Sequence, residues 1–198
     1  AEALEAWHGD GDGGHFLNAS DATDVPARLR GDQDEAVPSG TGFVIAGLSL
    51  LAQASGRIEH KERAERAACL AAGRIGESAT AFPGIVAAAE RLTRGSELAL
   101  LGWRSNPGFV AMERLMAQTV DLDRLDILTN DPALLPETNP IAGAKPSKTP
   151  AAFFCTGQVC RAPVFAPDAL ADQYWEDVIR VETLVGTDPE SLRNLMQG

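Results

Sequence analysis

The chain has 198 residues, 44% of them hydrophobic, and a formal net charge of −11. A chain of this length can bury a sizeable core without disulfides or metals, and its negative charge excludes nucleic acid and anionic membranes as main partners, because both would repel it. The longest apolar run, residues 43–54, is too short to cross a bilayer, so we expect a cytoplasmic or organelle-matrix protein.

The first segment, residues 7–38, is rich in Gly and Asp and has no sustained hydrophobic period, which is typical of irregular structure. Its acidic side chains are Asp10, Asp12, Asp21, Asp24, Asp32, Asp34 and Glu35. The run from Asp10 begins like a calcium loop but lacks the later oxygen ligands, so we interpret it as a solvated acidic turn. Two carboxylates across a cleft can act as general acid and base, which makes Asp12 and Asp34 catalytic candidates.

His15 is the best single acid/base candidate, because an imidazole exchanges protons near neutral pH. The sequence places no partner beside it. His8 and His60 are predicted at the surface, and His60 lies at the start of a predicted helix. A structural role is the favoured interpretation for all three histidines.

Helical patterns begin after Pro38 and occupy residues 42–54, 59–75 and 84–92. The first two helices are predicted to form an antiparallel hairpin. The side chains predicted to be buried in it are Phe43, Leu48, Leu51, Ala67 and Leu70. Cys69 is predicted to pack on the apolar side of the second helix.

Ser39 follows a proline and opens the first of these helices, so its hydroxyl most simply caps free backbone N–H groups. The alternative is that Ser39 and Gly40 bind an anionic or hydroxylated ligand, because free N–H groups and the positive end of the helix dipole point outward there. No lysine-bearing phosphate loop accompanies this helix start, so nucleotide binding is not expected.

The hydrophobic period then switches from helix to strand. We predict neighbouring strands at residues 98–101, 126–128 and 152–154, because short apolar runs suit strands buried on both faces. Helices at residues 107–118 and 168–179 should cover them. Strands that alternate with helices favour a small, mostly parallel sheet.

Three cysteines are too few for a secreted disulfide scaffold. Cys155 and Cys160 lie at the end of a predicted strand and in the loop after it, close enough to pair if the turn folds back. Reduced thiols are the simplest assumption, and a reversible redox pair is the alternative. Zinc would need further ligands that the sequence does not place nearby, so we predict neither a metal nor a cofactor.

Three stretches resemble one protein family in their order and spacing. They are DGGHFLN at residues 12–18 with AVPSGT at 36–41, AFP at 81–83 with the apolar run 98–102, and AFFCTGQVCRAP at 152–163. The chain resembles the C-terminal part of the thioredoxin-domain-containing, spermatogenesis-associated family over roughly residues 9–170. In that family a thioredoxin-like domain precedes a helical toroid related to N-acylglucosamine 2-epimerases and six-hairpin glycosidases.

The resemblance implies a fold of mixed α and α/β class. Residues 1–95 would supply the acidic loop and the closing helical hairpins of an (α/α)6 toroid, residues 96–180 a small α/β subdomain, and residues 181–198 a tail. The chain also begins at Ala1 without a methionine, so we expect a fragment. Its main partner would be the remainder of the same polypeptide, with the thioredoxin-like domain and the first toroid hairpins.

Two hypotheses for the function follow from the resemblance. In the first, the toroid is enzyme-like and binds a carbohydrate or another small polyhydroxylated ligand, and this chain alone is inactive. In the second, the chain is a non-catalytic scaffold or docking module of a thiol-redox protein, with Cys155 and Cys160 as a resolving pair. Missing hairpins would leave an exposed apolar patch on residues 43–51 or 84–92.

Overall fold

The computed structural model describes residues 1–75, 79–119, 121–145, 147–156 and 159–174. The predicted tail, and the end of the last predicted helix, lie outside the described residues. Within the described ranges the chain is a mixed α and β protein, as expected from the sequence at that coarse level. Helices occupy the first half and a sheet follows.

The helical part consists of α1 (Glu2–His8), α2 (Gly40–Ser55), α3 (Ile58–Ile75) and α4 (Pro83–Arg94), with a short 3-10 turn before α4. The three helices predicted from the sequence are therefore confirmed, with slightly different bounds. Gly56 ends α2 with a φ of 62°, a left-handed conformation that glycine adopts without a steric penalty. The short connection after Gly56 lets α3 run back along α2. The α2 helix packs against both α3 and α4.

Small side chains fill much of the contact between these helices. The buried cluster consists of Ile45, Ala67, Ala71, Phe82, Ile85 and Ala88. At Gly42, a Cβ atom would lie 2.8 Å from the carbonyl oxygen of Gly84. The first turns of α2 and α4 therefore meet backbone to backbone, which only glycine permits.

The burial predicted for α2 is partly wrong. Leu48 is buried as predicted, but Phe43 is 66% exposed and Leu51 is 42% exposed. This helix is apolar on nearly every side, so its sequence does not select which side faces the protein. The inner face is taken by Ile45 and Leu48, and the larger outer residues remain in solvent.

Two predictions for α3 are also wrong. His60 is buried, because it lies one turn before Ala64 and continues the buried stripe formed with Ala67 and Ala71. Cys69 is exposed rather than packed, since it follows Ala67 by two positions and so lies away from that stripe. Ala67 is buried as predicted.

A four-stranded sheet forms the second half, in the order β2-β1-β3-β4. Its strands are β1 (Ser96–Leu101), β2 (Arg124–Thr129), β3 (Ala151–Thr156) and β4 (Val159–Cys160), and α5 (Pro107–Gln118) connects β1 to β2. The three predicted strands are neighbours in one sheet, as expected.

The prediction of a mostly parallel sheet is wrong. The β1–β2 pair is parallel, but β3 is antiparallel to β1 and β4 is antiparallel to β3. A parallel return needs a crossover, usually a helix. α5 supplies one between β1 and β2, whereas the described residues between β2 and β3 contain only a 3-10 turn, Pro132–Leu134.

Apolar side chains, most of them large, fill the core of the sheet region. They are Leu98, Leu100, Phe109, Met112, Met116, Ala152, Phe154 and Leu170. All of β1 is buried, as expected for a central strand, whereas burial in β2 alternates, as at the edge of a sheet. Leu170 belongs to a helix described through residues 167–174, at the position predicted from the sequence.

Candidate functional site

Asp10 is a fixed anion inside the opening loop. Its Oδ1 accepts hydrogen bonds from the N–H groups of Asp12 at 2.9 Å and Gly14 at 2.8 Å, and Arg30 pairs with its Oδ2 at 2.5 Å. Burial opposes ionisation, but these hydrogen bonds and the guanidinium charge outweigh it and lower the pKa of Asp10 to about 2. The prediction of a solvated acidic turn is therefore wrong for the Asp10 side chain, for which the loop supplies its own donors, while Asp12 is exposed as predicted.

Asp34 joins the starts of two helices. Its Oδ1 accepts from the N–H of Ser39 at 2.9 Å, and its Oδ2 accepts from the N–H of Gly84 at 2.8 Å. A carboxylate is favoured there because helix N-termini carry unpaired N–H groups and a partial positive charge. Both of its oxygens are thus engaged by the protein itself.

His15 is 5% exposed and has a partner that the sequence did not reveal. Its Nε2 lies 3.4 Å from Oε1 of Glu5, on α1. Among the described residues, Nδ1 of His15 has no hydrogen-bond partner. Neither Asp12 nor Asp34 contacts this imidazole in the part of the chain that the structure describes, so the three predicted catalytic candidates are not brought together.

Ser39 caps α2. Its hydroxyl donates to the carbonyl oxygen of Gly31 at 2.9 Å and accepts from the N–H of Gly42 at 3.0 Å. Leu17 lies over Gly40, since a Cβ there would be 3.1 Å from Leu17 Cδ2. This helix start is therefore covered by the opening loop, and the hydroxyl of Ser39 is used within the protein.

Cys155 and Cys160 form a disulfide. The two residues are directly opposite each other in the antiparallel β3–β4 pair, with their Cα atoms 3.9 Å apart. The assumption of reduced thiols is thus wrong. The register of the β3–β4 pair aligns Thr156 with Val159 and so places Cys155 opposite Cys160, which is the physical reason for the pairing.

A cavity of about 420 Å³ lies where the helical part meets the sheet. It opens between the end of α2, the start of α3, the end of α4 and the start of β1. The lining residues with polar side chains are Ser49, Gln53, Arg57, Lys61, Arg91, Thr93, Glu97, Thr138, Asn139 and Thr156. None of the candidate residues predicted from the sequence lines it, although Thr156 directly follows Cys155.

Glu97 is the carboxylate of this cavity and is 7% exposed. The amide nitrogen of Asn139 donates to both of its oxygens, at 3.1 and 3.2 Å, while the N–H of Ile141 donates to the Asn139 amide oxygen at 3.0 Å and orients it. Burial raises the pKa of Glu97, and the Asn139 hydrogen bond acts in the opposite direction. Each carboxylate oxygen keeps lone pairs for a further donor.

Arg91 is the buried cation of the same cavity and is 5% exposed. Its Nη1 donates to the carbonyl oxygen of Leu122 and lies 3.7 Å from Oδ1 of Asp123, while its Nη2 donates to Oε1 of Gln53 at 3.2 Å. Its Nε is buried without a hydrogen-bond partner among the described residues. A buried N–H without an acceptor carries a desolvation cost.

The two buried charges are not paired with each other. Arg91 is ion-paired to Asp123, and within the described residues no ion pair joins it to Glu97. At the rim, Arg57 and Lys61 are exposed and pair loosely with Glu59 at 3.6 Å and Glu65 at 3.8 Å. The cavity therefore offers hydrogen-bond donors and acceptors in one small space, which is what a hydroxylated ligand requires.

Within the described residues, no group of three or more His, Cys, Asp and Glu side chains could hold a metal ion. No helix in the described residues is both long enough and apolar enough to cross a membrane. A scan of the chain against protein-family models and a search of curated proteins found no match.

Proposed function

We propose that the chain is the C-terminal part of a protein with a helical toroid, and that the cavity at Glu97 and Arg91 binds a small polyhydroxylated, carbohydrate-like ligand. One observation carries the proposal: a buried carboxylate and a buried guanidinium line the same cavity without neutralising each other. A hydroxyl group both donates and accepts a hydrogen bond, so neighbouring hydroxyls on one ligand would satisfy both residues.

The size of the cavity supports a ligand of this class. Its volume of about 420 Å³ falls within the range of small-molecule sites and leaves room for one sugar ring with its substituents. Gln53 adds its amide N–H groups as donors for a hydroxyl, since its amide oxygen already accepts from Arg91.

Binding is a better description than catalysis for this chain alone. The raised pKa of Glu97 suits a general acid. Sugar chemistry of the glycosidase type, however, uses two carboxyl groups, and Glu97 is the one carboxylate among the described residues that line this cavity. We propose that any second catalytic group comes from the remainder of the polypeptide, where the first toroid hairpins would lie.

The alternative is a scaffold or docking module of a thiol-redox protein. It is favoured by the outer face of α2, where Phe43, Leu50 and Leu51 are exposed, and by the Cys155–Cys160 disulfide. The exposed apolar face fits the toroid proposal equally well, because a neighbouring hairpin would cover it. The two hypotheses differ in the cavity: only the first requires it to bind a ligand.

Isothermal titration calorimetry of the 198-residue chain with neutral and acidic monosaccharides tests the proposal. We expect binding in the millimolar range or tighter, and a clear loss in Glu97→Gln, which removes the charged acceptor but keeps the shape. Glu137→Gln is the matched control, since Glu137 is exposed and does not line the cavity. If the chain bound none of the sugars, the scaffold hypothesis would be the better one.

A further inference from the structure

The cavity is lined by more positive than negative side chains, in a protein that is strongly acidic. Its lining includes three cations, Arg57, Lys61 and Arg91, and, among the described residues, one carboxylate, Glu97. The whole chain, by contrast, has 28 acidic and 17 basic residues. An excess of one sign of charge in a cleft raises the local concentration of ligands of the opposite sign.

Arg91 is the most buried cation of this positive lining. Two of its nitrogens are held by Leu122 and Gln53, which fixes the plane of the guanidinium. The neighbouring carboxylate of Asp123 lies beyond hydrogen-bond distance, at 3.7 Å from Nη1. Arg91 is therefore a rigid, buried cation whose ion pair with Asp123 is loose.

We propose that the ligand carries an anionic group, a carboxylate or a phosphate, that binds to the guanidinium of Arg91, with Arg57 and Lys61 drawing it in from the rim. The ligand class is then an acidic sugar, either a sugar acid or a sugar phosphate, with its hydroxyls at Glu97 and Asn139. This inference rests on the proposed function and narrows its ligand. An anion is the strongest acceptor for a buried guanidinium N–H, because the hydrogen bond is charge-assisted.

Calorimetric titration of the 198-residue chain with glucose, glucuronate, glucose 6-phosphate and inorganic phosphate tests the inference. At low salt we expect at least one acidic sugar to bind about tenfold more tightly than glucose, since a charge-assisted hydrogen bond is stronger than a neutral one. The comparison of glucuronate with glucose 6-phosphate identifies the anion. High salt should reduce this advantage and leave glucose binding unchanged.

Arg91→Met should abolish the advantage of the acidic sugar, whereas the matched control Arg94→Met should retain it, because Arg94 is exposed on the same helix and does not line the cavity. Arg91 also supports the backbone at Leu122, so Lys61→Gln, at an exposed position, provides a second variant that leaves the core intact. We expect Lys61→Gln to weaken the acidic sugar and not glucose.

Each other outcome is decisive. If glucose binds as tightly as both acidic sugars, or if Lys61→Gln and Arg91→Met leave the advantage intact, the anion inference is overturned and the proposed function stands. If inorganic phosphate binds as tightly as glucose 6-phosphate, the sugar proposal is overturned and an anion site remains. If no compound binds, both proposals fail.

Discussion

The helical part and the sheet part of the molecule are held together in different ways. Three of the six residues in the helical cluster are alanines, and backbone meets backbone at Gly42. The sheet cluster is built almost entirely from Leu, Phe and Met side chains. The helical part also depends on carboxylates of the opening loop, such as Asp34, that hydrogen-bond to helix ends.

The difference shows that the two parts rely on different physical terms. Large buried side chains stabilise through the apolar area removed from water, which does not depend on pH. Small residues stabilise through close approach, and the loop carboxylates stabilise through charge-assisted hydrogen bonds. Mutation and pH should therefore affect the two parts unequally.

The largest loss of stability is expected from a substitution in the sheet core. Leu100→Ala should lower the free energy of unfolding by about 2–5 kcal/mol, because it leaves a cavity among side chains that cannot close up. Urea denaturation at equilibrium measures the loss. Leu134→Ala, at an exposed position, is the control and should cost less than about 0.5 kcal/mol. Equal losses of free energy in the two variants would contradict the view that buried apolar area stabilises the sheet part.

A pair of glycines in one helix tests close packing in the helical part. Gly42→Ala should cost about 1–3 kcal/mol, because its methyl group would meet the backbone of Gly84. Gly47→Ala in the same helix meets open space and should gain about 0.5–1 kcal/mol from the better helix propensity of alanine. A gain in both variants, measured by thermal unfolding, would contradict the backbone contact between α2 and α4.

The opening loop should make the free energy of unfolding depend on pH in the acid range. Folding lowers the pKa of Asp10 from its usual 3.8 to about 2, so its contribution is present above pH 4 and is lost as the pH falls toward 2. The loss amounts to at most about 2 kcal/mol. Urea denaturation over this pH range should show a shallower decline for Asp10→Asn than for the original chain. Asp12→Asn, at an exposed position, should follow the original chain, and identical curves for all three would mean that Asp10 is not paired.

The smallest effect is expected on the outer face of α2. Leu51→Asp should change the free energy of unfolding by less than about 0.5 kcal/mol, because its side chain is partly in solvent and a carboxylate there stays hydrated. Leu48→Asp, three positions earlier, should cost several kcal/mol because it buries an unpaired charge. Melting temperatures of the two variants measure the difference. A large loss in Leu51→Asp would mean that this face is covered.

The sequence was sufficient for the longer helices and for three of the four described strands, but it did not reveal β4 or the relative arrangement of the elements. Hydrophobic period and the N-cap at Ser39 located the helices, and short apolar runs located the strands. The direction of β3 was not predictable, because it depends on the path of the long connection before it. The inner face of α2 was not predictable either, since a helix that is apolar all round gives no preferred side.

The candidate site was missed for a physical reason. Arg91, Glu97 and Asn139 come from a helix, a strand and a turn, and none of them stands out in a local pattern. One signal was available: Glu97 is a charged residue inside an apolar strand, where a carboxylate requires a partner. The contact between Glu5 and His15 was also missed, because a loop brings them together across ten positions.

The carboxylate of Asp34 has a consequence for how this sequence can change over time. A side chain at Gly84 would place its Cβ 2.6 Å from Oδ1 of Asp34, and a side chain at Gly42 would press on the backbone of Gly84. Substitutions at these three positions share one space, so their effects on the free energy of unfolding should not add. Lineages that replace one of them should replace the others as well, and the three positions should therefore covary.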